Sequence, residues 1–242
     1  MGGAGQEIEL KLRVADRAAL DAVADAAGGR RAAPALQRNH FFDTPSRSLR
    51  RGALGLRLRE EEGIFTLTAK GPSQKNASGA LAVRQEEEVE LSGDEARSLL
   101  EGRRSPLDLL EDVLASRTGI ELLLRLRGAT GAEALGYVGC FENLRTRVHA
   151  DLPISAGRLP VVLELDETSF PGDLTEYEVE VELGPETDAG QAEAALRALF
   201  ATAGVEGTPA RGKASRFFEA LEALQGAPHG APQKSAHPQN RA

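Results

Sequence analysis

Several segments place charged side chains at every second position and apolar ones between them. That is the period of a β-strand, whose successive side chains point to opposite faces. Glu7, Glu9 and Lys11 alternate with Ile8, Leu10 and Leu12; Arg57 and Arg59 with Leu56 and Leu58; Thr66, Thr68 and Lys70 with Phe65, Leu67 and Ala69. Arg84, Glu86, Glu88 and Glu90 form a further charged face, partly opposed by Val83 and Val89. Arg145 and Arg147 alternate with Leu144 and Val148, and Glu164 and Asp166 with Leu163 and Leu165. Glu176, Glu178, Glu180 and Glu182 alternate with Tyr177, Val179, Val181 and Leu183.

Helical stretches interrupt the strands. Asp16 to Ala27 reads as a helix capped by Asp16 and stopped by Gly28-Gly29. Asp94 to Glu101 is shorter, and Ser105-Pro106 opens a helix to about Arg117 with an N-cap followed by proline at the first helical position. Asp188 to Ala203 and Lys213 to Leu224 complete the set. Gly71–Gly79 and Gly128–Gly136 read as loops, and no internal repeat is evident. The pattern predicts an α+β chain that is mainly β, an antiparallel barrel or sandwich with flanking helices. Gly226 to Ala242 has almost no large apolar residues and reads as a disordered tail. The expected division is a short extension over 1–5, one domain over 6–225 and the tail over 226–242.

The chain has 242 residues, 41% of them apolar, which is enough for a sizeable core. Its net charge of −8 does not favour a general nucleic-acid binder, and no apolar run is long enough to cross a bilayer. Cys140 is the single cysteine, so no intrachain disulfide can form, and its neighbours Val138 and Phe141 suggest a buried thiol. Met1 to Gln6 carries no signal-peptide pattern, and Gln6 stands where myristoylation after Gly2 requires Ser or Thr. A cytoplasmic monomer that binds neither nucleic acid nor membrane is expected.

On any one strand, alternation of this kind describes a solvated sheet face. Taken together the strands read differently. Arginine outnumbers lysine on the charged faces, and arginine holds planar oxyanions with a rigid fork of donors. The carboxylates come in pairs two residues apart, with no His or Cys beside them, which suits hard cations such as Mg²⁺ or Mn²⁺. A barrel enclosing both sets would hold a metal and a polyanion together, the equipment of phosphoryl chemistry.

Glu7-Ile-Glu-Leu-Lys11 resembles the E-x-E-x-K signature of the CYTH domain of the triphosphate tunnel metalloenzymes. The rest follows in order. Gln37-Arg-Asn-His-Phe-Phe-Asp-Thr-Pro45, Leu56-Arg-Leu-Arg59, Thr66-Leu-Thr-Ala-Lys70, Arg84 with Glu86 and Glu88, Leu163-Glu-Leu-Asp-Glu-Thr168, Tyr177-Glu-Val-Glu-Val-Glu182 and Lys213 all resemble family motifs. Phe41 to Pro45, Phe141-Glu-Asn-Leu-Arg145 and the L-D-E-T run look most like the plant-type tripolyphosphatases.

The resemblance implies an antiparallel eight-stranded β-barrel tunnel and a metal-dependent hydrolase of inorganic triphosphate or a related linear triphosphate. By carry-over, Lys11, Arg57, Arg59, Lys70, Arg84, Arg145, Arg147 and Lys213 would bind phosphate, with Lys11 also in the catalytic set. Glu7 and Glu9 would hold the metal that activates water. Glu178, Glu180 and one or both of Glu86 and Glu88 would hold the metal that binds triphosphate. Asp166 would support a basic residue or metal-bound water. Glu86, Glu88 and Glu90 allow more than one register. An adenylate cyclase, a thiamine triphosphatase and a non-catalytic polyphosphate-binding module are the alternatives.

Gly207 to Lys213 nearly spells a P-loop, but Ala214 removes the required hydroxyl and a helix precedes it. His40, His149, His229 and His237 form no spaced ligand set. Asp43 is expected to cap a turn before Pro45, and Phe41-Phe42 to sit in the core.

Overall fold

The computed structural model describes residues 5–114, 119–155 and 157–226. The chain opens with β1 (Gly5–Val14), α1 (Arg17–Ala27), β2 (Arg30–Arg31), β3 (Ala35–Asp43), α2 (Ser48–Arg51), β4 (Gly55–Glu61) and β5 (Ile64–Lys70). Next come β6 (Gln74–Lys75), β7 (Leu81–Leu91), α3 (Gly93–Leu100), α4 (Pro106–Leu114) and α5 (Ile120–Thr130). The last elements are β8 (Gly136–Ile154), β9 (Gly157–Phe170), β10 (Leu174–Glu182), α6 (Ala189–Ala203), β11 (Thr208–Pro209) and α7 (Lys213–Gly226).

The strands run β1-β10-β9-β8-β3-β4-β5-β7, and β7 pairs back onto β1 to close an antiparallel ring. β1 manages both bonds by being long: Glu9–Val14 pairs with β10 and Gly5–Leu10 with β7. The β4–β5 hairpin turns on Glu62 and Gly63, with φ of 52° and 81°. Two positive φ values in a two-residue loop match the right-handed twist of the strands.

The apolar strand faces point out of the ring, under the helices. Leu10, Leu12, Leu163, Leu165, Val179 and Val181 pack against α1 and α6 through Leu20, Val23, Leu196 and Phe200. Leu56, Leu58, Leu67 and Val89 pack against α3, α4 and α5 through Leu99, Leu110, Leu122 and Leu126. The charged faces therefore point inward. Inside, Phe41, Phe141 and Phe170 meet Phe217 and Phe218 of α7, filling part of the lumen.

Asp16 caps α1 by accepting from the Ala19 amide at 2.9 Å, and Gly28 ends it in the left-handed region. Asp43 accepts from the amides of Thr44, Leu49 and Arg50, fastening the turn into α2.

Several expectations are corrected. Cys140 is exposed, because alternation along β8 turns Phe141 inward and the thiol outward. Gly128 lies in α5, not a loop; the apolar run Leu122 to Leu124 is too short to declare its period. The Gly71–Gly79 segment contains β6, which pairs with β7, and Arg30–Arg31 forms β2 against β8. α4 is described to Leu114, and residues 115–118, where it was expected to continue, lie outside the described residues. β1 takes in Gly5 and α7 takes in Gly226; the remainder of the expected tail, 227–242, lies outside the described residues. No helix among the described residues is long and apolar enough to cross a membrane.

Candidate active site

The ring encloses a cavity of about 780 Å³. It is lined by side chains from every ring strand except β10's deepest positions, and by the start of α7. Two charged clusters share it.

The first lies where β4, β5, β7 and β1 meet. Lys70 Nζ is 2.6 Å from Glu86 and 3.2 Å from Glu7, and Arg84 bonds Glu7 and lies 3.1 Å from Glu9. Arg57 and Arg59 lie 3.9 and 3.7 Å from the same oxygen of Glu88, which also accepts from Thr68 Oγ1 at 3.1 Å. Two cations thus share one carboxylate at long range. Arg57 Nε is buried without a hydrogen-bond partner. Burial, then the Arg59 guanidinium, pushes Arg57 below the usual arginine range; burial, then Arg57 and Arg84, does the same to Lys70. At Arg57 and Lys70 burial and neighbouring cations outweigh the local carboxylates, whereas at Arg84 burial yields to Glu7 and Glu9, which hold it above the ordinary arginine value.

The second cluster is a knot of buried ions on β1, β8, β9, β10 and α7. Asp166 and Glu178 are 0% exposed and Glu180 is 7% exposed. Arg145 grips Asp166 with Nε at 2.7 Å and Nη2 at 2.5 Å, and reaches Glu180 at 2.7 Å and Glu164. Lys11 Nζ is 2.6 Å from Glu180 and 3.3 Å from Glu9. Lys213 Nζ is 2.6 Å from Asp166, 2.9 Å from Glu180 and also pairs with Glu178. Arg216 bridges Glu176 and Glu178.

Burial alone would raise Asp166 and Glu180, but Arg145, Lys213 and Lys11 outweigh it and hold both below the usual carboxylate range. Glu178 is different: burial wins over Lys213 and Lys11, and its carboxyl is pushed up. Burial lowers Lys11, yet Glu180, Glu9 and Glu178 leave it above the ordinary lysine value.

Among the described residues, Asp166, Glu178 and Glu180 offer three carboxylate oxygens all within 4.8 Å of one another. That hard oxygen set fits a divalent ion such as Mg²⁺ or Mn²⁺. The cation nested there is the ammonium of Lys213.

Of the sequence-predicted residues, Glu7, Glu9, Lys11, Arg57, Arg59, Lys70, Arg84, Glu86, Glu88, Arg145, Arg147, Glu180 and Lys213 all line the cavity. Asp166 and Glu178 lie behind Lys213 and do not reach it. Glu86 and Glu88 face the lumen, whereas Glu90, two positions on, is exposed outside the lining. Arg147 sits toward the edge, held by Glu61 at 2.7 Å and Glu164 at 3.3 Å.

Sequence reasoning missed Arg216, although its spacing of i+3 from Lys213 on one helix was the available signal. It also missed a neutral polar ladder. Thr168 donates to Asn143 at 2.7 Å, Asn143 to Asp166 at 2.9 Å and to Gln37 at 3.0 Å, and Gln37 to Glu61 at 2.9 Å. This ladder locks the Asp166 carboxylate in place.

The sequence matches the CYTH domain over residues 5–218. No curated protein matches the chain in sequence. Solved structures share the fold, three of them as follows. A Hippeastrum protein, named for adenylyl cyclase and showing a dominant triphosphatase activity, is 24% identical, with 88% of this chain and 95% of that chain covered at a TM-score of 0.71. A Bacillus halodurans protein described as an adenylate cyclase is 25% identical, covering 88% and 99%, with a TM-score of 0.58. A Vibrio parahaemolyticus protein of like description is 18% identical, covering 91% and 99%, with a TM-score of 0.53. With its sequence matched from β1 into α7 and its charged faces turned into a closed antiparallel ring, the chain belongs to the CYTH domain family.

Proposed function

We propose that the chain is a metal-dependent hydrolase of inorganic triphosphate or a related linear triphosphate. The observation that carries this reading is the half-buried Arg57, whose buried Nε faces no partner in a cavity also lined by Arg59, Lys70 and Arg84. A buried N–H left unsatisfied destabilises the empty protein, and a polyanion in the lumen would relieve it. Arginine forks and lysine point charges on separate strands suit several phosphate groups in a row.

Glu7 and Glu9 on β1, and Asp166, Glu178 and Glu180 on β9 and β10, are the residues that would hold divalent ions. A bound ion supplies charge neutralisation at phosphate oxygens and a more acidic water. The protein's own groups do the remainder: Arg57, Arg59, Lys70 and Arg84 fix the phosphates, and Lys11 and Arg145 offset charge building on the leaving oxygens. The resemblance to plant-type tripolyphosphatase motifs favours inorganic triphosphate, and the triphosphatase activity of the Hippeastrum protein favours hydrolysis over cyclisation. The test is purified protein with Mg²⁺ or Mn²⁺ against triphosphate, ATP and thiamine triphosphate, following phosphate and cyclic AMP. Phosphate release fastest from triphosphate is expected. Cyclic AMP from ATP, or no turnover of any of the three, would overturn the reading.

A further inference from the structure

Lys213 occupies an unusual position. It is the first residue of α7, and its ammonium lies among three carboxylates whose oxygens are all within 4.8 Å of one another. A space of that size accommodates one cation, not an ammonium and a divalent ion together, because two like charges that close repel strongly. Asp166, Glu178 and Glu180 already face four cations, Lys11, Arg145, Lys213 and Arg216, so a divalent ion reaches these oxygens only where one of the four leaves.

Lys11, Arg145 and Lys213 all line the cavity, and of the four cations Lys213 is the one at the first residue of its element. Arg145 is anchored to Asp166 through two nitrogens, Arg216 bridges two buried glutamates, and Lys11 sits mid-strand between Glu9 and Glu180. Lys213 lines the open cavity, and Gly212 before it has open space where a Cβ would stand.

We propose that Lys213 is an exchangeable internal counter-ion: the same carboxylate oxygens take either its ammonium or a divalent cation, and a displaced Lys213 turns into the cavity, where a phosphate oxygen can receive it. This rests on the triphosphatase reading for the cavity. It makes Lys213 a positioning residue that couples the metal site to the phosphate site, with each ligand favouring the other.

The test uses Mn²⁺ alone, without triphosphate, with free Mn²⁺ followed by electron paramagnetic resonance. Lys213→Met should bind Mn²⁺ about tenfold or more tightly than wild type, since a like charge is removed from contact range. Lys213→Arg, which keeps the charge, should bind no more tightly than wild type. Lys213→Met with Glu178→Gln should lose the gain, locating it at this cluster. Equal or weaker Mn²⁺ binding by Lys213→Met, or a gain that survives Glu178→Gln, overturns the proposal. Should Lys213→Met fold poorly, melting in excess Mn²⁺ against chelator decides: a larger Mn²⁺-induced rise than in wild type is expected, and an equal or smaller one overturns it. Wild-type turnover of triphosphate, measured separately, judges the underlying reading and can survive either result.

Discussion

Arg57 shows how much a single residue can carry. Burial and Arg59 outweigh Glu86, Glu88 and Glu7 around it, and its contacts to Thr68 Oγ1 at 3.4 Å and Glu88 at 3.9 Å are long, so its charge is tolerated more than it is used. Arg57→Ala should therefore leave the empty protein as stable as wild type or slightly more so, while raising KM for triphosphate about tenfold or more, the worth of one hydrogen bond to a charged group. Thermal melting and steady-state kinetics on the same preparation check both halves. Glu7→Gln and Glu9→Gln should abolish turnover yet keep the fold; full activity in either folded variant would remove its assigned role. Glu182 offers a pH signature. Although the residue is exposed, partial desolvation at the cavity wall, then repulsion from Glu7, Glu164, Glu86 and Glu88, raises its carboxyl above the unfolded value, an effect that solvent weakens. Its contribution to stability is full below the unfolded pKa and is lost as pH rises through the folded one. Glu182→Gln should raise the melting temperature at pH 7 and change it little at pH 4. At this scale the charged residues were legible because charge marked every second position. Gln37 and Asn143 were not, because neutral amides carry no such mark and their burial appears only once the ring closes.

Elements were legible where their ends carry chemistry. Asp16 and Gly28 define α1 as the sequence predicts, but Gly29 has a different role. A Cβ there would stand 2.1 Å from the His149 carbonyl oxygen, since α1 leads straight into β2 against β8. Gly29→Ala should cost about 1–3 kcal/mol, the range for overpacking a close contact, read as a fall in melting temperature without loss of triphosphate affinity at low temperature. α5 was not legible because its leucines show a period only against the outer face of β4, β5 and β7. The Phe41-Phe42 pair was legible as core yet splits across two faces. Phe41 packs inside the lumen on Phe217 and Phe141, and Phe42 packs outside with Leu56 and Leu67.

For the molecule as a whole, the decisive fact is which way the charged faces point. A flat sheet with the same sequence would place them in water, where ion pairs contribute little and salt screens them. Closure through β1 puts Lys11, Glu178 and Asp166 in the interior and turns alternation from a solubility pattern into an enclosed charged interior. One strand's sequence cannot decide between these outcomes, because the choice is made by pairing between the first strand and the seventh. The measurement that tests it most directly is calorimetric titration of inorganic triphosphate into metal-free protein at physiological salt, wild type beside Arg57→Ala. The enclosed site predicts saturable binding of one triphosphate per chain, weakened about tenfold or more by the substitution. No saturable binding to wild type, or equal binding by the two proteins, would contradict it.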